Sequence, residues 1–265
     1  MRCNRFSKVL ALAAVAMAVS QVQAAGIFTM STAFTDDAST GIDVANAYTH
    51  KIGAGEAVTV NGVSFDLLNS GTTPANFSWT IANGSKAQVG NNNGDWAPAT
   101  GGVTGAGIIN LLNDFTYNNN GAGPGGVQTY TLESLTPGQQ YDTRLYVRVW
   151  DTEGSGRPID ISFDDGGDGI DIDAFPSNPL QMDRPNLEGY ASVHSAYFLS
   201  YDFVAQSTEL DIIAAVPAGA AGNSGSFHLY GLTNQEASVI PEPSTFVLAA
   251  LGLLGLGWYG RRRRR

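Results

Sequence analysis

Apolar and polar residues alternate along most of the chain between its two ends. Phe77 to Ile81, Val127 to Leu132, Tyr141 to Trp150, Ile159 to Phe163, Tyr197 to Val204, Glu209 to Val216 and Phe227 to Leu232 each carry this period of two, separated by turns rich in Gly, Asn and Asp. A period of two puts successive side chains on opposite faces of a strand. Val58 to Phe65 adds Asn61-Gly62 between two β-prone segments, the strongest short-range hairpin signal. A helical spacing appears once, at Ile108, Leu111, Leu112 and Phe115, and predicts one short helix capping an end of the sheets. About eight to ten strands with short turns predict an all-β fold: an antiparallel β-sandwich, jelly-roll-like, with that single helix.

The two ends break the pattern. Arg2, Arg5 and Lys8 precede an uncharged run from Val9 to Val19, and Val22-Gln23-Ala24 supplies the small residues that signal peptidase reads. Residues 1–24 are therefore expected to be a signal peptide with a helical apolar core, removed after Ala24. Cys3 leaves with it, so the mature chain has no thiol chemistry. At the other end Pro241-Glu242-Pro243 precedes a glycine- and leucine-rich stretch and the cluster Arg261 to Arg265. Residues 244–260 just reach the length of a transmembrane helix, and five arginines at its end favour a cytoplasmic C-terminus. The domain between, residues 25–238, is then extracytoplasmic.

Pro241, Glu242 and Pro243, the short span and the arginine tail resemble the PEP-CTERM sorting signal, here residues 239–265. The resemblance implies an exosortase-type membrane enzyme as partner. It implies transient anchoring in the inner membrane, removal of the span, and delivery to the cell surface or an exopolysaccharide matrix.

Without its two ends the chain holds six Lys and Arg against twenty-three Asp and Glu, a net charge of about −17. Such a surface repels phosphate backbones, so nucleic acid is not an expected partner.

Candidate chemistry is sparse. On the strand from Tyr141, the odd positions Tyr141, Thr143, Leu145, Val147 and Val149 form a core face. The even positions include Arg144, Tyr146, Arg148 and Trp150, cations alternating with rings. With Trp96 from a Gly- and Asn-rich loop, these four form a candidate carbohydrate platform, by ring stacking and arginine hydrogen bonds. The other reading is a solvated face whose arginines pair with Asp160 and Asp164 of the next strand. Asp164, Asp165, Asp168, Asp171 and Asp173, interspersed with three glycines, offer oxygens to a hard cation such as Ca²⁺, although the spacing matches no EF-hand loop. His50, His194 and His228 lie far apart and read as packed or edge histidines, and Trp79 as core. Leu135 to Tyr141 resembles the approach to the tyrosine corner of fibronectin-type domains, which implies a Tyr141 hydroxyl tied to its own loop.

No nucleophile elbow or phosphate loop occurs. The expectation is an exported, non-enzymatic surface or matrix protein that binds carbohydrate. A glycan-active enzyme on a jelly roll and a self-assembling surface protein are the alternatives.

Overall fold

The computed structural model describes residues 26–90, 103–119, 126–148, 158–166, 169–174, 180–181, 196–217, 226–237 and 252. In chain order the strands are β1 (Ile27–Met30), β2 (Tyr48–Ala54), β3 (Thr59–Val60), β4 (Val63–Ser64), β5 (Asp66–Leu68), β6 (Phe77–Ala82), β7 (Lys86–Val89), β8 (Phe115–Asn118), β9 (Val127–Glu133), β10 (Gln140–Arg148), β11 (Pro158–Asp164), β12 (Ile172–Asp173), β13 (Leu180–Gln181), β14 (Ala196–Val204), β15 (Glu209–Ala215) and β16 (Gly231–Glu236). Helix α1 (Ala106–Asn113) stands between β7 and β8.

Two main sheets hold the long strands. The first runs β1-β14-β10-β16-β2-β5 and the second β12-β11-β15-β9-β6. From β9 onward the long strands alternate between them, so every crossing draws the two inner faces over one core. Phe163 of β11 stacks on Tyr201 of β14 with centroids 4.4 Å apart. Trp79, Tyr130, Leu145, Ile161, Tyr201 and Ile212 are among the residues at 0–1% exposure in that core. The all-β sandwich expected from the alternation is the observed architecture. The three-and-four spacing falls on the helix at Ile108, Leu111 and Leu112, which are buried, but the helix ends at Asn113 and Phe115 opens β8 instead.

Local devices follow the residues that demand them. Asn61 and Gly62 both take positive φ, 48° and 80°, and close β3 on β4 as the Asn-Gly pair requires. The Tyr141 hydroxyl accepts the Thr136 N–H at 2.9 Å, so the corner expected at Leu135 to Tyr141 is formed. His50 and His228 are packed inside, at 4% and 3% exposure. His50 Nε2 lies 2.8 Å from the Asn76 carbonyl oxygen, and His228 stacks on Phe115.

Two expectations need correction. Residues 227–230 are not part of the last long strand, which begins at Gly231. Leu229 instead makes a single bridge to Thr116, so that Phe227, Leu229 and Tyr230 pack inward from a crossing segment. The strand β11 lies in the opposite sheet from β10, so Asp160 and Asp164 are not cross-strand neighbours of Arg144 and Arg148. Among the described residues no helix is long and apolar enough to cross a membrane. The expected signal helix, Pro241, Glu242, Pro243 and all but Gly252 of the expected span lie outside the described residues.

Candidate functional site

Strand β10 is flanked on both sides, by β14 and β16. Its odd residues face the sandwich core, as their alternation predicts. Its even residues face outward, but a second layer covers much of that outer face. The layer consists of residues 34–46, the β3–β4 hairpin and α1. Phe34 bridges Ala196. Asp37 accepts the N–H groups of Gly107 and Ile108 at 3.1 and 2.7 Å, which fastens α1 to the same loop. Asn61 Nδ2 donates to the carbonyls of Asp37 and Ile42 at 2.7 and 2.9 Å, fastening the hairpin.

This cover changes the meaning of the expected carbohydrate platform. Tyr146 is 0% exposed and Arg148 2% exposed. The Tyr146 ring meets Phe34 and Phe198 edge-on, and burial pushes its hydroxyl up to about 12. The Arg148 Nε donates to the Leu112 carbonyl at 2.9 Å, and its guanidinium lies 5.1 Å over the Tyr230 ring. Burial lowers its pKa, with Tyr230 opposing. Neither side chain presents a face to a sugar. Both tie the sheet to its cover. Trp96 and Trp150 lie outside the described residues.

Of the three that are described, Arg144 is the one that remains at the surface, 19% exposed at its side chain. Its Nε and Nη2 both reach Asp142 Oδ2, at 2.8 and 2.6 Å, and its guanidinium sits 4.7 Å over the Phe198 ring. Burial alone would weaken its charge, but Asp142 outweighs burial and keeps it protonated. Asp142 is itself buried, and further accepts the Ser200 hydroxyl at 2.6 Å and Gln235 Nε2 at 3.1 Å. Asp202 stands opposite Asp142 in the β10–β14 register. Burial and then Asp142 push its carboxyl up, while Arg144 pulls it down.

Gly41 lies directly on Arg144. It has φ +73°, and a Cβ there would collide with Nη1, so the turn and the close approach both require glycine. Beyond it opens a shallow depression of about 520 Å³ lined by Ala38, Gly41, Ile42, Asp43, Asn46 and Asn61. The Tyr48 hydroxyl holds its rim, accepting Asp43 N–H and Asn46 Nδ2, both at 3.0 Å. The result is an open, polar concavity of amides and a carboxylate beside a fixed guanidinium. Sequence reasoning found Arg144 but missed Asp142, Phe198, Ser200, Asp202 and the loop that supplies Asp43 and Asn46. Only Asp142 left a signal, as an acid two residues before Arg144 on one strand face.

The acidic stretch forms the β11–β12 connection. The Asp165 N–H donates to Asp171 Oδ2 at 2.6 Å, the Gly166 N–H to Asp164 Oδ1 at 3.2 Å, and Gln206 Nε2 to Asp165 Oδ1 at 3.0 Å. Asp173 lies at the end of β12, near enough to Asp160 to add to the upward push that burial gives that carboxyl. Asp168 lies outside the described residues. Among the described residues no three His, Cys, Asp or Glu side chains converge to hold a metal ion.

The comparisons with known proteins bear on the tail and on the sandwich separately. Residues 239–264 match the PEP-CTERM protein-sorting motif. The chain thus carries a PEP-CTERM sorting signal, which marks an exported surface protein and implies processing by an exosortase-type enzyme. No curated protein matches it in sequence. Among solved structures it is similar to the ANXUR1 extracellular domain from Arabidopsis thaliana, with 11% identity, a TM-score of 0.49, and 72% of this chain and 49% of that one covered. It is similar also to the ANX2 ectodomain of the same plant, at 12% identity and a TM-score of 0.48, over 73% of this chain and 50% of that one. The chain spans about half the length of these ectodomains.

Proposed function

We propose that this is an exported, non-enzymatic protein of the cell surface or extracellular matrix, whose jelly-roll-like sandwich binds a carbohydrate such as an exopolysaccharide. Signal peptidase removes residues 1–24. The tail holds the chain in the inner membrane with its C-terminus cytoplasmic, until the exosortase-type enzyme releases it. The observation that carries the binding reading is Arg144, fixed by Asp142 and Phe198 at the edge of the depression formed by Gly41, Asp43, Asn46 and Asn61. Sugar hydroxyls pair with such a mixed set of amide, carboxylate and guanidinium groups, and a rigid first contact lowers the entropy cost of binding.

Glycan-array and polysaccharide-retention measurements on the exported protein test this. Arg144→Lys keeps the charge and loses the planar fork, and weakens retention by about tenfold, a change of about 1.4 kcal/mol. Equal retention of both forms, or none of either, removes the reading. The Asp202 carboxyl, raised by burial and standing opposite Asp142, favours a second reading, a glycan-cleaving acid and base pair. Release of reducing ends that disappears in Asp202→Asn supports it.

A further inference from the structure

The side chains lining the Gly41 depression are one-sided in their hydrogen bonding. Asn61 Nδ2 spends both hydrogens on the carbonyls of Asp37 and Ile42. Asn46 Nδ2 spends both on the Gly41 carbonyl at 3.2 Å and the Tyr48 hydroxyl at 3.0 Å. The carbonyl partners fix both amides, because a flip would set oxygen against oxygen. Each amide is left with its Oδ1, an acceptor. Asp43 adds a carboxylate, whose Oδ1 accepts the Ala45 N–H at 2.9 Å and whose Oδ2 accepts none among the described residues. Ala38, Gly41 and Ile42 bring no side-chain donor. The Tyr48 hydroxyl at the rim accepts twice and keeps one hydrogen.

The charge is one-sided as well. Residues 34–46 hold Asp36, Asp37 and Asp43 and no Lys or Arg, and residues 59–64 of the β3–β4 hairpin hold no charge. Arg144 is balanced by Asp142 at 2.6 Å, and its Nη1 lies against Gly41. Val44 follows Asp43, is 68% exposed, and reaches toward Gly62 of the hairpin. An apolar surface therefore adjoins the acceptors.

We propose that the depression takes a polysaccharide with free amino groups, seating one protonated amine on Asp43 and the Oδ1 atoms of Asn46 and Asn61. The C–H face of the same sugar lies on Val44. The inference rests on the carbohydrate reading and narrows it. An ammonium group brings three donors and no acceptor, the complement of this lining. A uronate or a sulfate brings acceptors and negative charge, and meets neither need. N-acetylation leaves the nitrogen one donor and no charge, so an acetylated chain is a weak ligand. Ca²⁺ takes about six to eight oxygens, more than an open site with one carboxylate supplies.

The test is calorimetric titration of the full exported chain with trimers of glucosamine, N-acetylglucosamine, galacturonate and lysine. The glucosamine trimer binds about tenfold tighter than its acetylated form, as a hydrogen bond to a charged group warrants. Asp43→Asn keeps the oxygen that holds the Ala45 N–H and removes the charge, and it erases that preference. Glu209→Gln removes a carboxylate from β15, in the other sheet, and leaves the preference intact. Equal losses in the two variants overturn the seat, because bulk charge then does the binding. Equal affinity for the free and acetylated trimers, or tighter binding of galacturonate, overturns the amino-sugar class and leaves the carbohydrate reading standing. Trilysine binding as tightly as the glucosamine trimer overturns the glycan class. Should Asp43→Asn not fold, the parent is titrated in about 1 M salt, where the Debye length is 3 Å. The preference for the free amine persists there, and its complete loss overturns the seat. No binding of any sugar overturns the carbohydrate reading itself, and the seat with it.

Discussion

Asp37 caps a helix that begins almost seventy residues after it. Its Oδ1 accepts the Ile108 N–H at 2.7 Å and its Oδ2 the Gly107 N–H at 3.1 Å. The helix's own N-cap position is Gly105, which has no side chain to do this. A Cβ at Gly105 or Gly107 would run into Asp37, so the glycines make room for the remote cap. Asp37→Ala leaves two N–H groups of the first turn without their acceptor. The expected loss is about 1–2 kcal/mol, as for other cap deletions, read from urea denaturation. Asp37→Asn keeps one acceptor oxygen and loses less.

The tyrosine corner gives a second measurable quantity. The Thr136 N–H points at the Tyr141 hydroxyl, and the Tyr141 ring also packs on Phe203 at 5.7 Å. Tyr141→Phe retains the packing and removes only the acceptor. The expected cost is about 1–3 kcal/mol for an amide left unpaired. Tyr141→Ala costs more, about 3–5 kcal/mol, because a cavity is added.

Acid stability should bend near the ordinary histidine range. Burial holds the His50 imidazole below 6.5, opposed by the Asn76 carbonyl and by Glu133 and Asp66. The unfolded chain therefore takes up this proton first. Stability is full above pH 6.5 and is lost as pH falls from there toward the lowered folded value. His50→Gln is expected to flatten that part of the profile in thermal melts between pH 5 and 8, an interval of about three units around the histidine reference.

Asp202 acts with the opposite sign. Its folded pKa is raised above 3.8, chiefly by burial, so the contribution of this carboxyl to stability is full below 3.8 and is lost as pH rises through the folded value. Asp202→Asn should stabilise the protein at neutral pH, and the gain should vanish in strong acid. A variant that melts below the parent at pH 7 contradicts the placement of this carboxyl.

The strands of this fold were legible where alternation was clean, as on β9 and β11, whose odd and even residues face two different environments. Strand β2 was missed because His50, Lys51 and Gly53 interrupt its apolar pattern, although His50, Ile52, Gly53 and Ala54 are buried. Strand β10 was found but half misread. Alternation assigns two faces and cannot say that a loop about a hundred residues earlier covers the polar one. Tyr146 and Arg148 are inside because residues 34–46 and α1 lie over them, a long-range contact with no local signature. The same holds for the depression at Gly41, which exists only once that loop is seated. The sorting tail was legible because its reader is another protein that meets it as a linear segment.

The lengths of the outermost described strands bear on how two copies can pair. The first sheet ends on β1 and β5, of four and three residues, and the second on β12, of two, and on β6, of six. Short edges are poor templates for another chain. Among the described strands at the ends of these two sheets, β6 is the longest, and the strand it pairs with is β9. Two molecules that dock β6 against β6 satisfy each other about a twofold axis, and the other described sheet ends are shorter. Edge pairing through β6 therefore joins two copies and consumes the longest described sheet end of each.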